Sequence, residues 1–360
     1  MGINRYLYYL IFLNMIINVV VLVPNILIND RFNGALMAML VSIPISLTLI
    51  YFFGKAIARF PGMGLPEILK DHLPKWGHHS TLFLFGVMWY LIGLIPLLVF
   101  VSIIKDYINQ DNDRLLIISV LLILLVFCCR LNSKTLLYGM EVLLVINVPL
   151  VLFLIAKLLI NKEMNWDAIL EIGTHFFGIP SLQSIAAATF MFTGYTNMVI
   201  FQRIFEGKFK FKHIWMIGVL GLLFLLTSFF IPIGYQGTDG VANYMLPWLV
   251  TADSIRIEFF VVERVLYLFI FVYISIGLIG TIIFWHIALD LLKNIFPEKS
   301  RDKSSWAILI LFSAVAMTLE IFLNEYDRYD FTSAWLIVRL FGELLLVLIM
   351  SYAARKKALK

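Results

Sequence analysis

Ten apolar stretches of membrane-crossing length, separated by short charged segments, constrain this chain more than any other feature. A hydrocarbon layer of about 30 Å takes roughly 20 apolar residues as a helix. The stretches run from Tyr6 to Ile28, Gly34 to Phe53, Leu82 to Ile104, Leu115 to Cys129, Tyr138 to Ile160, Leu182 to Phe201, Ile214 to Gly234, Val262 to Trp285, Ser305 to Leu323 and Ser333 to Tyr352, the fourth being the shortest. With 61% hydrophobic and only 14% charged residues, the 360-residue chain carries more apolar surface than one soluble core would hide. A spanning segment must satisfy its own backbone N–H and C=O groups, so each stretch reads as an α-helix. The expected fold is an all-α polytopic membrane protein of about ten helices, without a separate soluble domain.

The cations test that count. With loops assigned alternately to the two sides, Arg5, Lys55, Arg59, Lys70, Lys75, Arg130, Lys134, Arg203, Lys208, Lys210, Lys212, Lys293, Lys299, Arg301, Lys303, Arg355, Lys356, Lys357 and Lys360 all fall on one side. The other side receives only Arg31, Lys105, Arg114, Lys157, Lys162, Arg256 and Arg328. Adding or removing one span would scramble this division. Cytoplasmic loops carry the excess of Lys and Arg, so both termini are expected in the cytoplasm, with residues 354–360 as a basic tail. The net charge of +5 is scattered over short loops rather than gathered on one face, which excludes nucleic acid as a partner. The segment after Arg5 lacks a small-residue cleavage site and is expected to stay as the first span. The adjacent Cys128 and Cys129 cannot staple distant parts of the chain, and read as packing residues before functional thiols.

Ten helices divide into two sets of five, residues 1–160 and 181–353, and an odd number reverses the membrane sense of the second set. Inverted repeats of this kind place substrate sites at the bilayer midplane, where the first helix of each half is broken. The first helix carries Asn14 and Asn18 near its middle and Pro24 and Asn25 further out; the sixth carries Thr189 and then Thr193, Gly194, Tyr195, Thr196 and Asn197 in mid-span. Either place is read as a binding segment or as polar residues bonded to a neighbouring helix. The first helix has no mid-span glycine, and its break reduces at the least to a bend at Pro24.

Ionised groups at mid-bilayer need partners, because an unpaired one costs at least about 2.5 kcal/mol. Arg339 and Glu343 stand four apart in the tenth helix and share a face, so they are expected to pair. Glu263 and Arg264 open the eighth helix, as interfacial anchors or as a gate. Glu141 and Glu320 lie near helix ends, within reach of water, and read at most as proton sites. Trp89 and Tyr90 sit mid-span in the third helix beside Gly93 and Pro96, where they line a cavity or simply pack. Pro44 and Pro149 are expected to bend their helices, and Trp76, Trp166, Trp248, Trp285 and Trp306 to anchor interfaces. The sequence lacks HExxH, GxxxxGK[ST] and GxSxG patterns, and its six histidines fall in loops and at helix ends. No catalysis, metal or cofactor is expected.

The turn Phe60-Pro61-Gly62, followed by Leu65-Pro66-Glu67-Ile68-Leu69, resembles the signature after the second span of the spore germination permeases, the B subunits of nutrient germinant receptors. The Glu263-Arg264 pair is similar to one that family carries at the same point, and the span count agrees. The resemblance implies the five-plus-five fold of the amino acid, polyamine and organocation superfamily. It also implies a nutrient ligand, commonly an amino acid, held between the first, third, sixth and eighth helices. Position by position it points to Asn18, to Trp89 and Tyr90, and to Thr193, Gly194, Tyr195 and Asn197, with Glu263, Arg264, Arg339 and Glu343 as structural or gating charges. It further implies an A subunit and a C lipoprotein subunit as partners, and the spore inner membrane or cell membrane as location. The segment Ile16–Val20 departs from the glycine-containing break usual in the first helix, which makes the sixth helix the better place for a carboxylate.

Two functions compete on these grounds: a sensor that binds a nutrient and signals to partner subunits, and a proton-coupled amino acid permease using the same site. A structural subunit without a ligand is a third.

Overall fold

The structure is a computed structural model that describes residues 3–20, 23–108, 110–205, 213–256 and 264–358. Among the described residues the chain is helical throughout, and its only bridged extended pair is Arg256 with Arg264. The first predicted span is two helices, α1 (Ile3–Asn18) and α2 (Val23–Asn29), followed by α3 (Ala35–Ile57), the short α4 (Leu65–His72) and the long α5 (Lys75–Ile103), which ends in a π-type turn, Ile104–Ile108. Then come α6 (Arg114–Cys128), α7 (Ser133–Ile160) and α8 (Trp166–Thr174). The sixth predicted span comprises α9 (Leu182–Phe190), a 3-10 segment Thr193–Asn197, the single turn α10 (Met198–Phe201) and a last 3-10 turn, Gln202–Ile204. The remainder is α11 (Ile214–Gln236), α12 (Pro247–Ser254), α13 (Val265–Lys293), α14 (Arg301–Phe322) and α15 (Glu325–Ala358).

Among the described residues, seven single helices are long and apolar enough to cross a membrane, and each of the two bent pairs brings the number up by one, to nine. The remaining predicted span, α6, is apolar but only 15 residues long. The architecture is that of a polytopic membrane protein. Several helices run past the apolar stretches that announce them: α5 starts seven residues before Leu82, and α15 begins at Glu325 rather than Ser333. Hydropathy marks the oil-solvated part of a helix, whereas its ends are set by capping. Asn132 accepts from Thr135 N–H at 2.8 Å to start α7, and Ser181 accepts from Ser184 N–H at 3.0 Å to start α9.

The interior is built around α13, which packs along α5 and α7, while α3 lies against α9, α11 and α15. Small residues set the α5–α13 seam. A Cβ on Gly93 would meet the Trp285 ring at 2.5 Å, and one on Gly86 would meet Leu292 at 2.5 Å. Glycine on one helix thus houses a large side chain from the other, the usual way for membrane helices to approach closely. Outward, α6 and α7 present Leu116, Val120, Ile123, Val142, Val145 and Leu152, exposed apolar side chains suited to lipid. Trp76, Trp166 and Trp306 are exposed as expected of anchors. Trp248 and Trp285 are not: both are buried, Trp248 donating to the Ser228 carbonyl at 2.9 Å and Trp285 packing on Tyr90 and Phe312. Trp285 misleads because α13 continues two turns beyond it.

Candidate functional site: the junction of two broken helices

The breaks fall in the first and sixth predicted spans. The axes of Asn4–Asn18 and Val23–Asn29 differ by 55°, and those of Leu182–Phe190 and Thr193–Ile204 by 59°. In the first span the interruption follows Asn18, and Pro24 stands in the first turn of α2. There its missing N–H costs nothing, since the first turn has no intrahelical acceptors. In the sixth span the α-helix ends at Phe190, and the polar run Thr193–Asn197 continues as a tighter 3-10 segment.

Ending a helix inside a membrane strands its last carbonyls, which then need donors. Asn14 supplies them. Its Nδ2 donates to the Phe190 carbonyl at 2.6 Å and to Met191 and Thr193 Oγ1 at 3.2 and 3.3 Å. Asn18 Nδ2 donates to the Asn14 carbonyl at 2.8 Å, so it serves the end of its own helix. Thr193 and Thr196 hydroxyls donate to the carbonyls three residues back, Phe190 and Thr193. Gly194 lies against the backbone of α1: an added Cβ would come within 2.6 Å of Ile11 Cα and nearer still to the Leu10 carbonyl. Gly194 is therefore a contact between two main chains, with no room for a side chain.

A charged centre adjoins this contact. Arg339 Nη1 pairs with Glu343 Oε2 at 2.5 Å, and Arg339 Nη2 donates to the Ala186 carbonyl at 2.6 Å and Thr189 Oγ1 at 2.9 Å. Tyr195 donates its hydroxyl to Glu343 Oε1 at 2.6 Å. The guanidinium sits 5.2 Å from the Phe190 ring centroid, at the C-terminal end of α9 where a cation complements the helix dipole. Trp89 Nε1 donates to Asn197 Oδ1 at 2.8 Å, tying α5 to the same segment. Asn197 Nδ2 and Arg339 Nε are buried without a hydrogen-bond partner.

The structure thus brings Asn18, Trp89, Thr193, Gly194, Tyr195, Asn197, Arg339 and Glu343 to one junction. Tyr90 is not among them; its hydroxyl donates to the Phe312 carbonyl at 2.9 Å on α14. Arg264 stands exposed just before α13, without a side-chain bond that caps it and not among the junction's partners, and Glu263 lies outside the described residues. Glu320 is buried, paired at 2.9 Å with Arg328, rather than open to water as expected; the α14–α15 turn folds Arg328 back over it. Likewise His286 is an interior residue, bonded to Ser133 Oγ at 2.7 Å and the Cys129 carbonyl at 2.8 Å.

Two small cavities flank the junction. One, about 10 Å³, lies among Asn14, Asn18, Pro96, Phe190 and Thr332; the other, about 20 Å³, lies among Trp89, Thr193, Thr196, Arg339 and Glu343. Each has room for about one water.

Sequence reasoning missed a second polar cluster at the cation-rich end. Arg203, ending the sixth span, binds Glu67 at 2.8 and 2.9 Å and Asp290 at 2.5 Å, and Lys293 binds Asp290 at 2.7 Å. Glu67 Oε2 also accepts the Gly64 N–H at 2.8 Å, closing the first turn of α4. The Pro/Gly turn and its Glu67 are therefore more than a connector: they lock α4 onto the ends of the sixth and eighth spans. The one available signal was an acidic residue, Asp290, at the otherwise basic end of an apolar helix.

A profile of spore germination proteins matches residues 4–328, and the chain belongs to that family. It is an integral membrane protein of a transporter-like and receptor-like family rather than of an enzyme family. None of the curated proteins compared with the chain matches it.

Proposed function

We propose that this chain is the nutrient-sensing membrane subunit of a spore germinant receptor, with a small nutrient of the amino acid class acting at the junction of the two broken helices. The carrying observation is the tightness of that junction: its breaks satisfy each other's polar groups around cavities of about 10 and 20 Å³. Ligand sites span roughly 300–1,000 Å³, so a nutrient fits only a different packing of α1, α5, α9 and α15. A ligand that binds two packings unequally shifts the balance between them, and that shift is the signal. The spare donors on Asn197 and Arg339 favour a ligand that accepts hydrogen bonds, such as a carboxylate.

Within this reading, residues 1–160 and 181–353 form inverted five-helix repeats, supported by breaks in the first helix of each. The cation-rich face is cytoplasmic and carries both termini, and the protein resides in the spore inner membrane beside A and C subunits. The test is nutrient-triggered release of stored solutes from spores of a deletion strain complemented with the wild type or with Asn197→Leu, over single amino acids, sugars and nucleosides. Selective loss of one response in the deletion strain and in Asn197→Leu, restored by the wild type, is the expected outcome. An unchanged profile in the deletion strain overturns the sensor reading. Uptake of an amino acid into proteoliposomes would then establish the permease instead.

A further inference from the structure

A cavity of about 780 Å³ opens at the cation-rich end, between α4, the first turns of α5 and the segment joining α13 to α14. Its charge is lopsided. Both carboxylates on its wall are engaged, Glu67 by Arg203 and the Gly64 N–H, and Glu298 by Arg301 at 3.6 Å. Lys70 and Lys75 reach it without an ion-pair partner among the described residues, and His78 and His79 stand beside them, ring to ring at 5.2 Å.

The helix behind them adds to the imbalance. The first turn of α5 contains no acidic residue, and Pro74 before it has no side chain able to cap it. The free N–H groups and positive dipole end of a 29-residue helix therefore lie at Lys75, on the cavity wall. Lys70 and Lys75 on one wall, with no ion-pair partner among the described residues, repel one another, and an anion in the cavity would relieve this.

The rest of the wall indicates which anion. Leu73, Ile295, Phe296 and Pro297 form an apolar side. Trp76, 77% exposed, and Phe83, 60% exposed, are seven residues apart and so share the outer face of the first turns of α5, the part of that helix that also carries Lys75, His78 and His79 of the cavity wall. Unpaired lysines beside an apolar wall, with exposed aromatic side chains on the same turns of the helix, suit a phospholipid rather than a soluble anion or an acidic polypeptide.

We infer that this cavity holds the phosphate of an anionic phospholipid, gripped by Lys70, Lys75 and the positive end of α5, with its acyl chains along Trp76 and Phe83. The site is independent of the nutrient junction. Native mass spectrometry of the full-length protein in detergent, titrated with phosphatidylglycerol or phosphatidylcholine, tests it. The wild type should retain phosphatidylglycerol at about tenfold lower concentration than phosphatidylcholine, and Lys70→Gln/Lys75→Gln should erase that preference, as expected for the loss of two interfacial cations. Lys162→Gln, at the opposite end, should keep it. Equal retention of the two lipids by the wild type, or an undiminished preference in the double variant, overturns the proposal. So does displacement of phosphatidylglycerol by millimolar inorganic phosphate, which would mark a free-anion site. Lysine-dependent binding of an oligoglutamate peptide without lipid preference would equally overturn it in favour of an acidic protein segment. Both lysines are exposed, and an unaltered size-exclusion profile would show that the double variant is folded.

Discussion

The two broken helices solve one problem in different ways. The first span breaks without a glycine and sends a side chain across: Asn14 caps carbonyls 176 residues away in the sixth span. The sixth span breaks with Gly194 and offers main chain, its 3-10 segment lying directly against α1. Each is stable only with the other in place, because neither has water to take over its free groups. A break in a membrane helix is therefore a property of a pair, and mutations on the two sides should differ in kind.

The largest effect is expected from Gly194→Leu. Its side chain would collide with the backbone of α1, which cannot move aside as a rotamer can, so folded protein should fall to near background by fluorescence-detected size exclusion. A well-folded Gly194→Leu protein would show that the two main chains do not need to touch.

Next comes the charged centre. Arg339→Leu strands the Glu343 carboxylate and should destabilise by about 3–5 kcal/mol, whereas Arg339→Leu/Glu343→Leu should recover much of that loss. Thermal unfolding in detergent would order the three proteins; a double variant no better than the single one would argue against simple charge compensation. Glu343→Gln keeps an acceptor for Tyr195 but leaves the Arg339 cation uncompensated, so its abundance should drop. Normal abundance with a lost nutrient response would make Glu343 a functional proton or ligand site instead.

Asn14→Leu should be milder, at about 1–3 kcal/mol for carbonyls left unpaired. Asn18→Ala, which removes one bond within its own helix, should cost about 1 kcal/mol or less. Equal effects of Asn14→Leu and Asn18→Ala would remove the asymmetry drawn between the two breaks. The smallest stability change is expected for Trp89→Phe, which keeps the ring and loses the bond to Asn197. If the junction carries the signal, this variant should shift the nutrient dose–response more than the melting temperature.

Much of this molecule is local and so legible along the chain. Apolar stretches locate the spans because transfer to lipid depends on the residues of each segment. The i,i+4 spacing of Arg339 and Glu343 announces their pair, since helical geometry alone makes them neighbours. Clusters of Asn, Thr and Gly mark both broken helices to within a few residues. Other features are not local. That Tyr195 reaches Glu343, that Tyr90 turns to α14, that Glu320 is covered by Arg328, and that Glu67, Arg203 and Asp290 converge were decided by helix packing. A residue's type states what partner it needs, and in a medium without water that need must be met; which of several distant groups meets it depends on how the helices lie against one another.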